Sequence, residues 1–144
     1  TAFDRTHLAM PNGTGLLGSH SSTQSSIIGP VIGVSNQFYV FANHSISFGG
    51  IFQGVTYSKV DLLLAGNGTS SCPLGDVVSG EKNIQMVDST SEKVSVVPHA
   101  NGTDYWVVCQ SVNNSTVFSF LVSSAGVDLV PITSISPFLI IQMF

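Results

Sequence analysis

The sequence predicts an all-β fold built from two four-stranded antiparallel meanders of β-propeller-blade type. Ser, Thr, Gly, Asn and β-branched residues dominate the 144-residue chain. No apolar period of 3.6 residues persists over two turns, so no helix is predicted. Short apolar runs alternate with turn residues along the whole chain, which is typical of strands. The same spacing also allows an Ig-like two-sheet sandwich completed by a strand from a neighbouring subunit.

Nine runs have the length and the β-branched or aromatic content of strands. They are residues 26–32, 37–42, 55–64, 83–87, 92–97, 105–109, 117–123, 129–132 and 138–144. Asn-Gly pairs at 12–13, 67–68 and 101–102 indicate tight turns, because Asn and Gly tolerate positive φ. We expect residues 1–5 to form a lone strand whose sheet partners precede them.

An internal repeat runs through the strand pattern. The run Phe38–Phe41 returns about 67 residues later as Tyr105–Val108, and Ser22-Thr23 returns as Ser89-Thr90. Each unit has the size of a large propeller blade. We therefore predict one all-β domain over residues 1–144, with repeats at 19–87 and 88–136 and an apolar terminal strand at 137–144.

The small number of charged residues excludes several classes of function. Only 8% of the residues are charged, against roughly 25% in ordinary soluble domains. The four basic residues cannot neutralise a phosphate backbone, so nucleic acid is not an expected partner. No run approaches the ~20 apolar residues of a membrane helix, so no membrane span is expected. These features favour a β protein outside the cytoplasm, secreted or on the cell surface.

No constellation in the sequence predicts an enzyme or a cofactor. Residues 13–18 fit Gly-x-Gly-x-x-Gly, but no helix is predicted after them and no acidic residue follows until Asp61, so we interpret them as a loop. No Gly-x-Ser-x-Gly elbow occurs. The histidines lack metal-ligand spacing, and no metal site is expected. These histidines are His7, His20, His44 and His99.

Two cysteines, Cys72 and Cys109, are compatible with one disulfide, with two buried thiols, or with links to other chains. Neither belongs to a Cys-x-x-Cys pair.

Asn-x-Ser/Thr sequons are the most informative local signal, since six of the eight asparagines begin one. We expect each to lie in a loop, where a glycan would fit. Asn-Gly-Thr is also ordinary hairpin chemistry, so both interpretations stay open. The candidates are Asn12, Asn43, Asn67, Asn101, Asn113 and Asn114.

Several segments resemble the propeller-like region of very large surface proteins that gliding bacteria export by the type IX secretion route. The matching segments are residues 3–7, 10–18, 21–25, 57–61, 74–77, 92–94, 99–108 and 123–127. The resemblance implies consecutive blades and carries over no catalytic residue. In that group, Asp88-Ser89-Thr90 resembles a short acceptor motif for O-glycosylation, which makes Ser89 a candidate. The family usually has other residues where Cys72 and Cys109 stand, which favours their pairing.

The terminal run Phe138–Phe144 is apolar at six of seven positions, so both of its faces require burial. It departs from the family pattern. We expect it to add to the sheet of a neighbouring copy, as pilus subunits do, through Phe138, Leu139, Ile140, Ile141, Met143 and Phe144. The chain is then a non-enzymatic structural protein, a fibre subunit or adhesin segment, whose partner is itself. The alternative is a lectin-like module that binds glycans.

Overall fold

The computed structural model describes residues 1–44, 54–112 and 115–136, and it contains ten strands and no helix in these ranges. The first five strands are β1 (Ser26–Pro30), β2 (Gln37–Asn43), β3 (Val55–Asp61), β4 (Asp76–Val77) and β5 (Ile84–Val87). The other five are β6 (Thr90–Pro98), β7 (Tyr105–Ser111), β8 (Thr116–Ser123), β9 (Gly126–Val127) and β10 (Ile132–Ile135).

These strands form two antiparallel meander sheets with the same topology. In the first sheet β1, β2 and β3 pair in order, and both β4 and β5 pair with β3. In the second sheet β6, β7 and β8 pair in order, and both β9 and β10 pair with β8. The predicted pair of antiparallel meanders is confirmed. An Ig-like sandwich needs Greek-key connections between sheets, and the described strands have none.

Each sheet has five strands rather than four, because its third strand has two short partners. The strands β4 and β9 span two residues each, which is too short for an alternating pattern to reveal. The change of sheet falls between Val87 and Thr90, at the predicted boundary of the repeats. The last predicted strand of the second unit lies at 132–135 rather than 129–132.

The N-terminal segment, residues 1–18, folds back on itself. Ala2 N donates to Gly13 O at 2.8 Å, and Met10 N donates to Ala2 O at 3.0 Å. Met10 then packs against Val60 and Val77 of the first sheet. The prediction of a lone strand at 1–5 is wrong, because this stretch finds its partners within the next dozen residues.

The main core lies between the two sheets. Phe41 of the first sheet and Phe120 of the second are fully buried there. The close approach of the sheets depends on Gly29, because a Cβ at this position would lie 2.6 Å from the Tyr105 hydroxyl oxygen. That hydroxyl donates to Pro30 O at 2.8 Å. A small residue in β1 thus makes room for an aromatic ring of the second sheet.

The two sheets are stacked with their first strands running in the same direction. At the start of β1, Gln24 N donates to Glu92 O, near the start of β6, at 3.1 Å. At the other end, Pro30 meets Tyr105, which follows the end of β6. Because β6 lies along β1 and β2, the second sheet sits on the first like the next layer of a stack.

Candidate interaction surfaces and modification sites

The side of the first sheet that faces away from the second carries an apolar groove of about 460 Å³. We call this side the open face; its strand residues include Ile28, Phe38, Val40 and Val60, which the strand register places side by side. The N-terminal segment packs on the part of it at Val60 and Val40. Ile28 is 65% exposed. Phe3 and Leu62, at the groove margin, are also exposed.

The second sheet also presents apolar side chains on its outward side. We call this side the outer face; its apolar residues are Val97, Trp106, Val108, Leu121 and Ile132. The polar residues Ser95 and Ser119 lie between them, and Lys93 lines a shallow groove with Ser95 and Val108. Trp106 is half-buried and packs against the His99 ring at a centroid distance of 5.3 Å. Val97 is 45% exposed. An apolar sheet surface with one aromatic ring can bind another apolar surface or the face of a sugar ring.

The sequence contains a signal for these two faces that alternation alone hides. Phe38–Phe41 and Tyr105–Val108 are apolar at every position, not at every second one. A strand that is apolar on both sides is typical of burial on both sides. The structure buries one side of each strand between the sheets and leaves the other side at the open face or the outer face.

Carboxylates of the described chain hold loops together. Asp61 accepts from Gln37 Nε2 at 2.8 Å, from Asn36 Nδ2 at 2.9 Å and from Leu63 N at 2.8 Å. Burial acts to raise the pKa of Asp61, but these hydrogen bonds outweigh it, so the pKa lies below its ordinary value. Asp76 likewise accepts from the backbone N–H groups of Asn12 and Val77. Both carboxylates thus have structural partners.

Asp4 anchors the N-terminal segment. Its carboxylate accepts from Thr6 Oγ1 at 2.6 Å, from Thr6 N at 2.7 Å and from Asn67 Nδ2 at 2.8 Å. The Thr6 hydroxyl and then the Asn67 amide hold the pKa of Asp4 at about 2, well below its ordinary value. Asn67 also donates to Ala9 O at 2.8 Å, so it joins the loop after β3 to this segment.

The predicted disulfide is not formed. Cys72 is an exposed free thiol in the loop between β3 and β4, whereas Cys109 is a buried free thiol in β7. Cys109 belongs to the core between the sheets. Burial raises its pKa to about 12, so the thiol stays protonated and behaves as an apolar side chain.

The sequon candidates occupy different environments. Asn101 lies in an exposed turn between β6 and β7, where its Oδ1 accepts from Thr103 N and Asp104 N and its Nδ2 donates to Asp104 Oδ2 at 2.8 Å. Asn12 and Asn67 also lie in turns, and their Nδ2 groups donate to Val77 O and to Asp4. The candidates Asn113 and Asn114 lie outside the described residues. Ser89 lies in the turn before β6 with φ of +51° and is half-buried.

Asn43 contradicts the expectation that every sequon lies in a loop. It ends β2 and is 0% exposed. Its Nδ2 donates to Ser91 O at 2.6 Å, and its Oδ1 accepts from Thr90 Oγ1 at 3.3 Å. A glycan on Nδ2 would replace one of the amide hydrogens and could not fit between the sheets. Asn43 is therefore not a glycan acceptor in the folded chain.

The remaining predictions fall partly outside the structure. The assembly strand Phe138–Phe144 lies beyond the described residues, so it stays a prediction. Within the described ranges no three His, Cys, Asp or Glu side chains are grouped so as to hold a metal ion. The described part of the chain also contains no helix that is long and apolar enough to cross a membrane.

Comparison of the chain with known protein families, with curated proteins and with solved structures finds no match. The resemblance to surface proteins of gliding bacteria therefore stays a prediction, and the function has to be argued from the two apolar faces and the way in which the sheets stack.

Proposed function

We propose that the chain is a non-enzymatic structural protein of the cell exterior, a subunit of a surface fibre or an adhesin segment that assembles with copies of itself. The observation that carries this proposal is the stack of two meanders of the same topology, which leaves apolar side chains exposed on both outward sides. Layers that stack in one sense have no built-in end, and such arrays need caps or further layers to cover the last face.

The low charge supports the same proposal. The residues that define the open face are uncharged, and the outer face carries Lys93 beside its apolar residues. A contact between two such faces buries few unpaired ions, each of which costs several kcal/mol. The carboxylates that the structure describes at Asp4, Asp61 and Asp76 accept hydrogen bonds from loop residues, which is a structural use of these groups.

The terminal run at residues 137–144 supplies a second contact in this proposal. Its apolar side chains and its strand-like length suit strand addition to the sheet of a neighbouring copy. Contacts that join one end of a subunit to the other end of the next are heterologous, so they generate a filament rather than a closed dimer. Secretion agrees with the exposed sequon at Asn101 and with the small number of charges.

Sedimentation velocity and negative-stain electron microscopy of the purified full chain test the proposal. We expect concentration-dependent polymers with a regular filament form, and we expect the chain that lacks residues 137–144 to lose them. A full chain that stays monomeric at high concentration would contradict the proposed function. A shortened chain that forms the same filament would contradict only the strand addition.

A lectin-like module is the second candidate, and Trp106 is the observation that favours it. The half-buried indole lies on the outer face beside His99 and Val97, and tryptophan rings are common platforms for sugars. Binding of the wild-type chain to a glycan array, lost in Trp106→Ala and kept in Phe3→Ala, would support this candidate. Equal retention on the array by wild type and Trp106→Ala would contradict a site at this ring.

A further inference from the structure

The direction of backbone hydrogen bonds shows which sides of the two sheets correspond. In a strand of L-residues, the side to which a residue's N–H and C=O point fixes the face that its side chain occupies. In β2, Asn43 N donates toward β1, to Ser25 O, and Gln37 O accepts from Val31 N on the same side. Tyr39 and Phe41 have odd numbers like Gln37 and Asn43. Their N–H and C=O groups therefore also point toward β1, the first strand.

In the second sheet the residues that face the core have the opposite orientation. Val112 N donates to Ser89 O, and Asp104 O accepts from His99 N, so the even-numbered residues of β7 point toward β6. The N–H and C=O groups of the core residues Tyr105, Val107 and Cys109 therefore point toward β8, the third strand. Their counterparts in β2 are the residues that point toward β3, as His44 N does when it donates to Gly54 O. These counterparts are Phe38, Val40 and Ala42.

The second sheet packs on the first with one side of its meander. The corresponding side of the first sheet is the open face. The two sheets are related front to back, not face to face. One copy therefore carries a front, the open face, of which residues 1–18 leave the part at Ile28 and Phe38 uncovered, and an uncovered back, the outer face. In the first sheet the corresponding back is the surface on which the second sheet rests.

We propose that the open face of one copy docks on the outer face of a second copy, which repeats the internal stacking between molecules. This inference rests on the proposed function and names the surfaces and the polarity of the assembly. The occupant is a second copy because the only layer that the structure shows on such a back is a meander of this same kind. The defining residues of both faces are apolar, and Lys93 of the outer face lies in the edge strand β6, where its long side chain can keep the ammonium group in solvent.

The strand register states which residues meet. The hairpin pairs Pro30–Phe38 and Pro98–Tyr105 occupy the same place in the two sheets. Inside the molecule Tyr105 packs on Gly29 and against Phe41, with ring centroids 6.5 Å apart. The counterparts of these three residues are Phe38, Val97 and Val108.

Between copies, Phe38 of one molecule therefore lies on Val97 and Val108 of the next. Ile28 lies beside it, because β1 is the counterpart of β6, which lies along β1 and β2 inside the molecule. Val97 stands where the first sheet has Gly29, so the ring cannot approach as closely as Tyr105 does. The contact between molecules is then looser than the contact within one.

Two substitutions on the full chain test the docking, one on each face. Ile28→Glu places a charge on the open face, and Val97→Glu places one on the outer face. Each has a control of the same exposure away from both faces: Leu63, 65% exposed like Ile28, and Leu129, 45% exposed like Val97. We expect each face variant to raise the critical concentration for assembly by roughly tenfold or more. Leu63→Glu and Leu129→Glu should assemble like the wild type.

Mixing the two face variants tests the polarity. Each variant keeps one working face, so in sedimentation velocity the equimolar mixture should associate at a lower concentration than either variant alone, through the one pair of working faces. Far-UV circular dichroism and the urea midpoint establish that each variant is folded. Ile132→Glu, on the outer face, gives a second variant should Val97→Glu fail to fold.

The outcomes separate this inference from the proposed function. If the wild type does not assemble, the proposed function fails. If the wild type assembles and both face variants assemble equally well, the docking is wrong while self-assembly stands, and residues 137–144 then carry the contact. If the mixture associates no more strongly than either face variant alone, the front-to-back polarity is wrong.

Discussion

The two faces of the first sheet differ in what covers them, although one strand supplies both. Phe41 and Phe38 lie three residues apart in β2 on opposite sides of the sheet. Phe41 is fully buried against the second sheet, which supplies a fitted surface with Tyr105 seated at Gly29. Phe38 meets only the groove beside the N-terminal segment. A complete sheet thus covers one face and a short folded segment covers part of the other, so the first contact stabilises the monomer and the second leaves surface for association.

Truncating the two phenylalanines gives the largest difference between these faces. We expect Phe41→Ala to lower the free energy of unfolding by about 3–5 kcal/mol, because it leaves a cavity between the sheets. Phe38→Ala should cost less than about 1.5 kcal/mol, because its site is open to solvent. Urea unfolding at concentrations where the chain is monomeric measures both. Equal losses for the two variants would show that the faces do not differ as described.

A larger residue at Gly29 should disturb only the side of the first sheet that packs against the second sheet. Gly29→Ala brings a methyl group against the Tyr105 ring, and we expect a loss of about 1–3 kcal/mol from overpacking. Gly80 is the matched control, because nothing lies within 4 Å of a Cβ at that position. Gly80→Ala should be neutral or slightly stabilising in thermal unfolding. If both variants unfold alike, the sheets do not approach at Gly29 as closely as the structure indicates.

Removing the buried amide of Asn43 should also weaken the contact between the sheets. Asn43→Ala leaves Ser91 O without its donor and Thr90 Oγ1 without its acceptor. We expect a cost of about 1–3 kcal/mol. Asn101→Ala removes an exposed turn residue and should cost about 1 kcal/mol or less. Both variants delete a sequon, so a comparison by urea unfolding separates burial from any effect of a glycan. A larger cost at Asn101 would contradict the burial argument.

The N-terminal segment, which covers part of the open face, should be held less firmly in acid. The pKa of Asp4 is about 2 in the folded chain and near 3.8 when unperturbed, so its contribution is complete above about pH 4 and is lost as the pH falls toward 2. Thermal unfolding of the wild type should therefore weaken over this range by more than that of Asp4→Asn. Asp88→Asn, at an exposed turn, should follow the wild type. Identical curves for Asp4→Asn and wild type would remove Asp4 from this role.

Much of the fold was predictable because its signal is local. The runs around Phe38–Phe41 and Tyr105–Val108 have the composition and the bounding turns of strands, and five further predicted runs coincide with β1, β3, β5, β6 and β8. The run predicted at 129–132 is displaced to 132–135, and the run at 138–144 lies outside the described residues. The short strands β4 and β9 carried no usable pattern, since two residues cannot alternate. The buried sequon at Asn43 was mistaken for a loop residue because the tripeptide has the same composition in either place, and the packing of a second sheet decides which it is.

The cysteines and the N-terminal segment show the same division. Cys109 alternates in β7 with the same side of the strand as Tyr105 and Val107, so its side chain points into the core. Cys72 is exposed in the loop between β3 and β4. Sequence separation does not contain this information, because it depends on the face that each residue takes after folding. The return of residues 8–13 onto residues 2–4 was likewise hidden, since irregular backbone pairing has no periodic signal.

Strand propensity, turn chemistry and composition act within a few residues, so an all-β chain with two similar halves and few charges can be predicted from the sequence alone. The front-to-back stacking of the halves, the burial of Asn43 between them and the exposed apolar side chains on both outward sides appear only in the folded chain. These features depend on which side of a strand meets another sheet. That choice is made by packing between residues far apart in the chain, for which a single sequence carries no local pattern.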